Sequence, residues 1–234
     1  MPIVPEKGLS ETIPRVELIR IYDLLPHEEV IEEKLNELTI SILSSGIIKR
    51  PILVDKNTNV ILDGHHRYVF LKRLGMVLAP VYRVDYMSPN IKVDVWIRYI
   101  KGVTSSKIHD IIKSFGAEKN SNPTGIIFKI DDEIYSVEGN RIELYFLLKE
   151  IEKELRKADA IINYSPCILD ERFLIIPPKL RKSDVISVAL KKKPLPPKST
   201  RHIIKESPII RVPIIALKKF YNLGAIVKAS YAID

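Results

Sequence analysis

The chain has 234 residues, of which 37 are basic and 29 acidic, giving a formal charge of +8. A hydrophobic share of 46% beside 28% charged residues excludes a disordered chain and allows one generous domain or two small lobes without disulfide or metal staples. Apolar runs such as Met76 to Tyr82 and Leu144 to Leu148 fall far short of the roughly 18 residues of a membrane span. Glu6, Glu11, Arg15, Glu17 and Arg20 interrupt the start of the chain, so a soluble, cytoplasmic protein without a membrane partner is expected.

In chain order, Val16 to Tyr22 reads as a strand stopped by Pro26, and Pro26-His27-Glu28-Glu29 reads as the opening of a helix. Ile31, Leu35, Leu38 and Ile42 carry that helix at helical spacing, and Ser44-Ser45-Gly46 ends it. Ile52 to Val54 and Val60 to Leu62 form a hairpin around Lys56-Asn57-Thr58-Asn59. Asp63-Gly64-His65-His66-Arg67 follows, with Tyr68, Leu71 and Leu74 at helical spacing and Gly75 as a stop. Val77 to Tyr86 and Ile91 to Tyr99 read as strands, the second with Val93, Val95 and Ile97 on one face and Lys92, Asp94, Trp96 and Arg98 on the other.

Thr104 caps a helix through Phe115. Lys119 to Pro123 is the most polar, turn-rich stretch and marks an expected lobe boundary. Ile126 to Ile130 and Ile134 to Val137 form a second hairpin, Arg141 to Arg156 a long helix, Ala160 to Tyr164 and Phe173 to Ile176 strands, and Ser183 to Lys192 a helix. Pro194 to Pro197 then breaks the chain ahead of Lys198-Ser199-Thr200-Arg201-His202, and Ile209 to Leu217 reads as a late strand. Strands and helices mix without strict alternation, which makes the class α+β. Cys167, beside Pro166, Ile168 and Leu169, is expected to be a small buried hydrophobe rather than a nucleophile.

The excess charge is local. Between Pro178 and Lys205 stand nine basic residues against Asp184 alone, and the rest of the chain is neutral. An anionic ligand held at one place explains that distribution better than a nucleic-acid surface. Sixteen prolines against 9 glycines fit a heat-adapted chain.

At Asp63 to Arg67 a strand ends and a helix begins, where free N–H groups and the helix dipole attract phosphate. Gly64 admits an anion, Arg67 and the two histidines offer donors, and Asp63 can face Mg²⁺ or cap the helix. A carboxylate at Glu28 either stabilises the start of its helix or serves as a general base. Ser44 to Arg50 is either a cation-rich helix end or a second strip of phosphate donors. Trp96 is equally compatible with burial and with ligand contact, and Lys198 to His202 with a basic loop or an anion site.

The strand followed by Asp63-Gly64-His65-His66-Arg67 and a helix resembles the ParB/sulfiredoxin-like domain. Pro26-His27-Glu28, Ser45-Gly46-Ile47 ahead of Lys49, Trp96 before Lys101-Gly102, and Pro197 to His202 narrow the resemblance to the archaeal free L-serine kinases. The resemblance implies a ParB/sulfiredoxin-like nucleotide-binding domain over 1–116 and a second, smaller α/β lobe over 117–234, with the active site in the cleft between them. It implies phosphoryl transfer from ATP or ADP, with Mg²⁺, to free serine, giving O-phosphoserine for cysteine synthesis. Glu28 would then be the base and Asp63 would sit at the reacting phosphate or its Mg²⁺. Gly64, His65, His66 and Arg67 would hold phosphates, with Ser45, Gly46, Ile47 and Lys49 near the nucleotide. Trp96, Lys198, Ser199, Thr200, Arg201 and His202 would line the serine side. Sulfiredoxins place their cysteine beside the glycine, where this chain has His65. ParB partition proteins continue into a helix-turn-helix, which would make this a nucleotide-dependent DNA-binding protein, whereas the downstream sequence here reads as a hairpin and strands.

Overall fold

The computed structural model describes residues 16–168, 171–205 and 207–218. Its elements, in order, are β1 (Val16–Arg20), α1 (Glu32–Ser45), β2 (Ile47–Ile48), β3 (Ile52–Asp55), β4 (Ile61–Asp63), α2 (His65–Arg73), β5 (Leu78–Val84), β6 (Lys92–Asp94) and β7 (Ile97–Lys101). There follow α3 (Ser105–Ser114), β8 (Glu118–Lys119), β9 (Ile126–Ile130), β10 (Glu133–Val137), α4 (Arg141–Lys157), β11 (Ile161–Ser165), β12 (Phe173–Ile176), α5 (Lys182–Leu190), β13 (Arg201–Ile203) and β14 (Val212–Pro213). Short 3-10 turns follow β1 and β14.

The local punctuation acts as its residue types dictate. Gly46 ends α1 in the left-handed region at φ 66°, where a side chain would be strained. Thr104 caps α3 by accepting from the Lys107 amide, and the Asn140 side chain accepts from two amides at the start of α4. In the first hairpin Asp55 accepts from the Thr58 amide and hydroxyl, fixing the turn.

Two sheets organise the chain. A four-stranded sheet runs β1-β5-β3-β4, with β3 parallel to β5 and the other pairs antiparallel. A six-stranded antiparallel sheet runs β11-β7-β12-β9-β10-β8. Each covers its own core, one including Ile42, Ile52, Ile61 and Leu71, the other Ile112, Phe128, Leu148 and Ile151. A third cluster joins Val60, Leu62 and Tyr86 to Tyr145, Val185 and Leu195 and so fastens the two parts together.

Several expectations change. The stretch Ile91 to Tyr99 is two strands: β6 pairs with β13 and β7 enters the six-stranded sheet, so the chain changes sheets at Val95-Trp96. Arg98 therefore lies 1% exposed in the sheet interior rather than on a polar face, and is paired with Glu152. β7 and α3 pack in the second core, and Lys119 to Pro123 begins in edge strand β8. The late strand shrinks to β14, paired with β2, followed by the turn Ile214–Leu217. Cys167 is exposed, because Ser165 to Cys167 runs past the end of β11 instead of into a core. Among the described residues no helix is long and apolar enough to cross a membrane.

Candidate active site

A cavity of about 240 Å³ opens between the turn ahead of α2 and the segment ahead of β13. On the first side, Gly64 precedes α2 at φ 99°, and no side chain caps the first turn of the helix. Its amide groups and the positive end of its dipole are thus available to an anion. Asp63 does not cap the helix; its Oδ2 meets Arg67 Nη2 at 3.1 Å. The Arg67 guanidinium lies over Gly64 so closely that a Cβ there would sit 2.8 Å from Nη2. Arg67 Nε is buried and has no hydrogen-bond partner among the described residues.

His65 and His66 are less free than their sequence suggests. His65 Nε2 accepts from the His27 amide at 3.4 Å and His66 Nε2 from the Ile31 amide at 3.3 Å. Each ring is therefore left with one donor, Nδ1–H. Burial holds both rings below the usual histidine pKa, helped for His65 by its neighbours His27 and His202, which titrate beside it, and for His66 by the charge of Lys198.

On the other side, Glu28 lies ahead of α1 in extended chain. The Leu195 amide donates to the His27 carbonyl at 2.8 Å and the Glu29 amide donates to the Leu195 carbonyl at 2.8 Å, so this stretch pairs instead of starting the helix. The Glu28 carboxylate accepts from the Lys198 amide at 2.8 Å, the Thr200 amide at 2.9 Å and the Thr200 hydroxyl at 2.9 Å. The residue is half-buried at the cavity wall, and burial raises its pKa against the opposing pull of the three donors and Lys198. Lys198 adopts φ 63°, a left-handed conformation costly for a lysine, which turns its amide to Glu28 while its ammonium stands 4.2 Å from the Trp96 ring centroid. Trp96 Nε1 donates to the Thr200 carbonyl at 2.9 Å.

The cavity wall unites Glu28, Asp63, Gly64, His65, His66, Arg67, Trp96, Lys198, Thr200, Arg201 and His202. Ser199 is not part of it, since its hydroxyl donates to the Pro196 carbonyl at 2.6 Å and closes the proline turn. Ser45, Gly46, Ile47 and Lys49 do not line it either. The Ser45 hydroxyl bonds back to Ser41, Gly46 caps α1, Ile47 pairs with Pro213, and the Lys49 carbonyl accepts from Ile210. Arg201 reaches Asp94 at 3.3 Å, and the Tyr86 hydroxyl lies 2.9 Å from His202 Nε2. Sequence reasoning passed over His27, which is fully buried and held by its own hydrogen bonds, although it stands next to Glu28. Four of the five histidines thereby meet around this cavity. No three His, Cys, Asp or Glu side chains among the described residues are placed to hold a metal ion, and Asp63 supplies a carboxylate beside the α2 turn.

No family model matches the chain. It is 36% identical over 194 residues to a ParB-like protein of Sulfolobus acidocaldarius, covering 81% of this chain and 90% of that one. It is 28% identical over 230 residues to an ATP-dependent L-serine kinase of Staphylothermus marinus, covering 86% and 90%. Its fold superposes with a TM-score of 0.74 on a free serine kinase solved in complex with AMP, at 22% identity, covering 91% and 98%. Sequence similarity along most of both chains leads to one conclusion: the chain belongs to the ParB-like family.

Proposed function

We propose that this protein transfers the terminal phosphoryl group of ATP or ADP to the hydroxyl of free L-serine, with Glu28 as the general base and the α2 turn as the phosphate cradle, in a cleft between two lobes. One observation carries the proposal: a half-buried carboxylate with no ion pair among the described residues and an uncapped helix N-terminus line the same cavity. Phosphoryl transfer asks for little else, namely donors around the equatorial oxygens, an aligned hydroxyl and a base to receive its proton.

In this reading the amides after Gly64, the Nδ1–H groups of His65 and His66, and Arg67 bind phosphate oxygens. Lys198 and Arg201 face the serine carboxylate, and Trp96 walls the serine side. Asp63 is the carboxylate available to a magnesium ion carried in by the nucleotide, and such an ion supplies neutralisation of phosphate charge. The product is a serine with a good leaving group on its β-carbon, suited to the sulfur transfer that makes cysteine. DNA binding in the manner of partition proteins fits less well, because α3 and α4 are not joined by a short turn: the strands β8 to β10 lie between them along the chain.

The test is incubation with serine, Mg²⁺ and either ATP or ADP, followed by phosphorus NMR. O-phosphoserine is expected with at least one nucleotide in the native protein and with neither in Glu28→Gln. Its absence with both nucleotides in the native protein overturns the reading.

A further inference from the structure

The hydrogen-bond chain that begins at Glu28 continues past Thr200. Glu28 Oε2 lies 2.9 Å from the Thr200 hydroxyl, that hydroxyl lies 2.8 Å from His27 Nε2, and His27 Nδ1 lies 2.7 Å from the Ile61 carbonyl oxygen. A carbonyl only accepts, so Nδ1 carries the proton and the neutral ring has a lone pair on Nε2. The Thr200 hydroxyl thus has one hydrogen and faces two acceptors. While Glu28 is ionised, one of its two contacts sets lone pair against lone pair. A proton on Oε2 resolves the conflict, since Glu28 then donates to Thr200 and Thr200 donates to His27.

We infer that Thr200 and His27 are positioning residues that strengthen Glu28 as a base, because their hydrogen-bond chain is complete only after Glu28 has taken the substrate's proton. The inference rests on the proposed role of Glu28. In the step itself, the substrate O–H bond breaks as the Oε2–H bond forms. The new oxygen–phosphorus bond replaces the bond to the nucleotide's terminal phosphorus, and the nucleotide leaves one phosphoryl group shorter. The hydrogen on Oε2 then turns from the product toward Thr200, and the Thr200 hydrogen turns toward His27, which keeps the proton from returning to the product oxygen.

The surroundings suit His27 as a neutral acceptor. The ring is fully buried, with His65 of α2 and His202 of β13 against it at centroid distances of 4.5 and 5.3 Å, and Glu28 reaches it through Thr200. Arg67 and Lys198 add positive charge at His65 and Glu28. Burial brings the His27 pKa down to about 4, so the lone pair on Nε2 persists at neutral pH.

His27→Asn keeps a donor for Ile61 and removes the acceptor for Thr200, whereas His27→Gln returns an acceptor oxygen. Thr200→Val removes the hydroxyl and keeps the amide bond to Glu28, whereas Thr200→Ser restores the hydroxyl. The expected result is a loss of about tenfold or more in kcat for the Asn and Val variants, nucleotide KM within about twofold, and recovery in the Gln and Ser variants. The acid limb of kcat moves to lower pH in His27→Asn, because Thr200 then donates to the carboxylate alone. A kcat within about twofold of native in folded Thr200→Val, or a loss that Ser does not recover and that leaves the acid limb in place, overturns the inference. Full transfer by Glu28→Gln instead removes the base assignment itself; an inactive Glu28→Gln beside an unaffected Thr200→Val sinks the relay alone.

Discussion

Glu152 is buried and meets Arg98 at 2.8 Å, Arg156 at 3.1 Å and the Tyr164 hydroxyl at 2.9 Å, whereas the half-buried Glu28 meets two amides and a hydroxyl among the described residues. The Arg98–Glu152 network joins β7 to α4 in the second part of the chain, and Arg98 also donates to the Trp96 carbonyl where the chain changes sheets. A carboxylate set between two guanidinium groups has its charge cancelled and is of no use as a base. One held by neutral donors keeps its charge and can still accept a proton. The absence of an ion pair at Glu28 among the described residues is what separates the carboxylate proposed as the base from the architectural one.

The largest effects should fall on opposite observables. Glu28→Gln keeps a hydrogen-bonding amide in place and removes the base, so kcat should fall by about 10²–10⁴-fold with nucleotide binding largely kept. Glu152→Gln should cost about 3–5 kcal/mol in denaturant unfolding, because it leaves Arg98 buried with its charge uncancelled, and kcat per folded molecule should change little. A stability loss at Glu28 matching that at Glu152, with transfer intact, would dissolve the distinction.

Much of the first wall was legible in sequence, because its signals are local. Gly64 and the residues after it stand where a strand meets a helix, and Gly46, Gly75 and Thr104 punctuate their helices as their residue types demand. The second wall was not, because Glu28 meets its donors 170 and 172 residues along the chain and no local pattern encodes such a pairing. Alternation within Ile91 to Tyr99 shows which side chains share a face, and it is silent on the change of sheet at Trp96 that buries Arg98. The motif Lys198 to His202 falls at the cavity, but its residues split between cavity wall, proline turn and hydrogen-bond chain according to contacts that only the fold supplies.

A third difference between the two networks concerns acid. His27 has its pKa lowered from 6.5 to about 4, and burial lowers His65 and His202 as well. The unfolded chain binds protons at these positions over a pH range in which the folded chain does not. Stability contributed by the neutral rings is therefore present above pH 6.5 and lost as pH falls toward 4. For His27 alone the loss amounts to about 3 kcal/mol. Denaturant midpoints across this window should fall in the native protein and fall less steeply in His27→Gln; equal slopes would show that the ring takes up its proton without cost in the folded state.

The smallest effect sharpens the comparison most closely, since it concerns the one cation near Glu28. The Lys198 ammonium rests against Trp96 and pulls the Glu28 pKa down only weakly, as the last of several influences. Asparagine tolerates the left-handed conformation at φ 63° and keeps the backbone donor to Glu28, so Lys198→Asn removes the ammonium, with its contacts to Trp96 and to serine, and leaves the backbone bond to Glu28 in place; serine KM should rise. The acid limb of kcat should then move slightly to higher pH, opposite in direction to the shift expected of His27→Asn, while unfolding stability stays within about 0.5 kcal/mol. A large shift at Lys198→Asn would mean that Glu28 depends on a cation after all, and that it resembles Glu152 more closely than its contacts suggest.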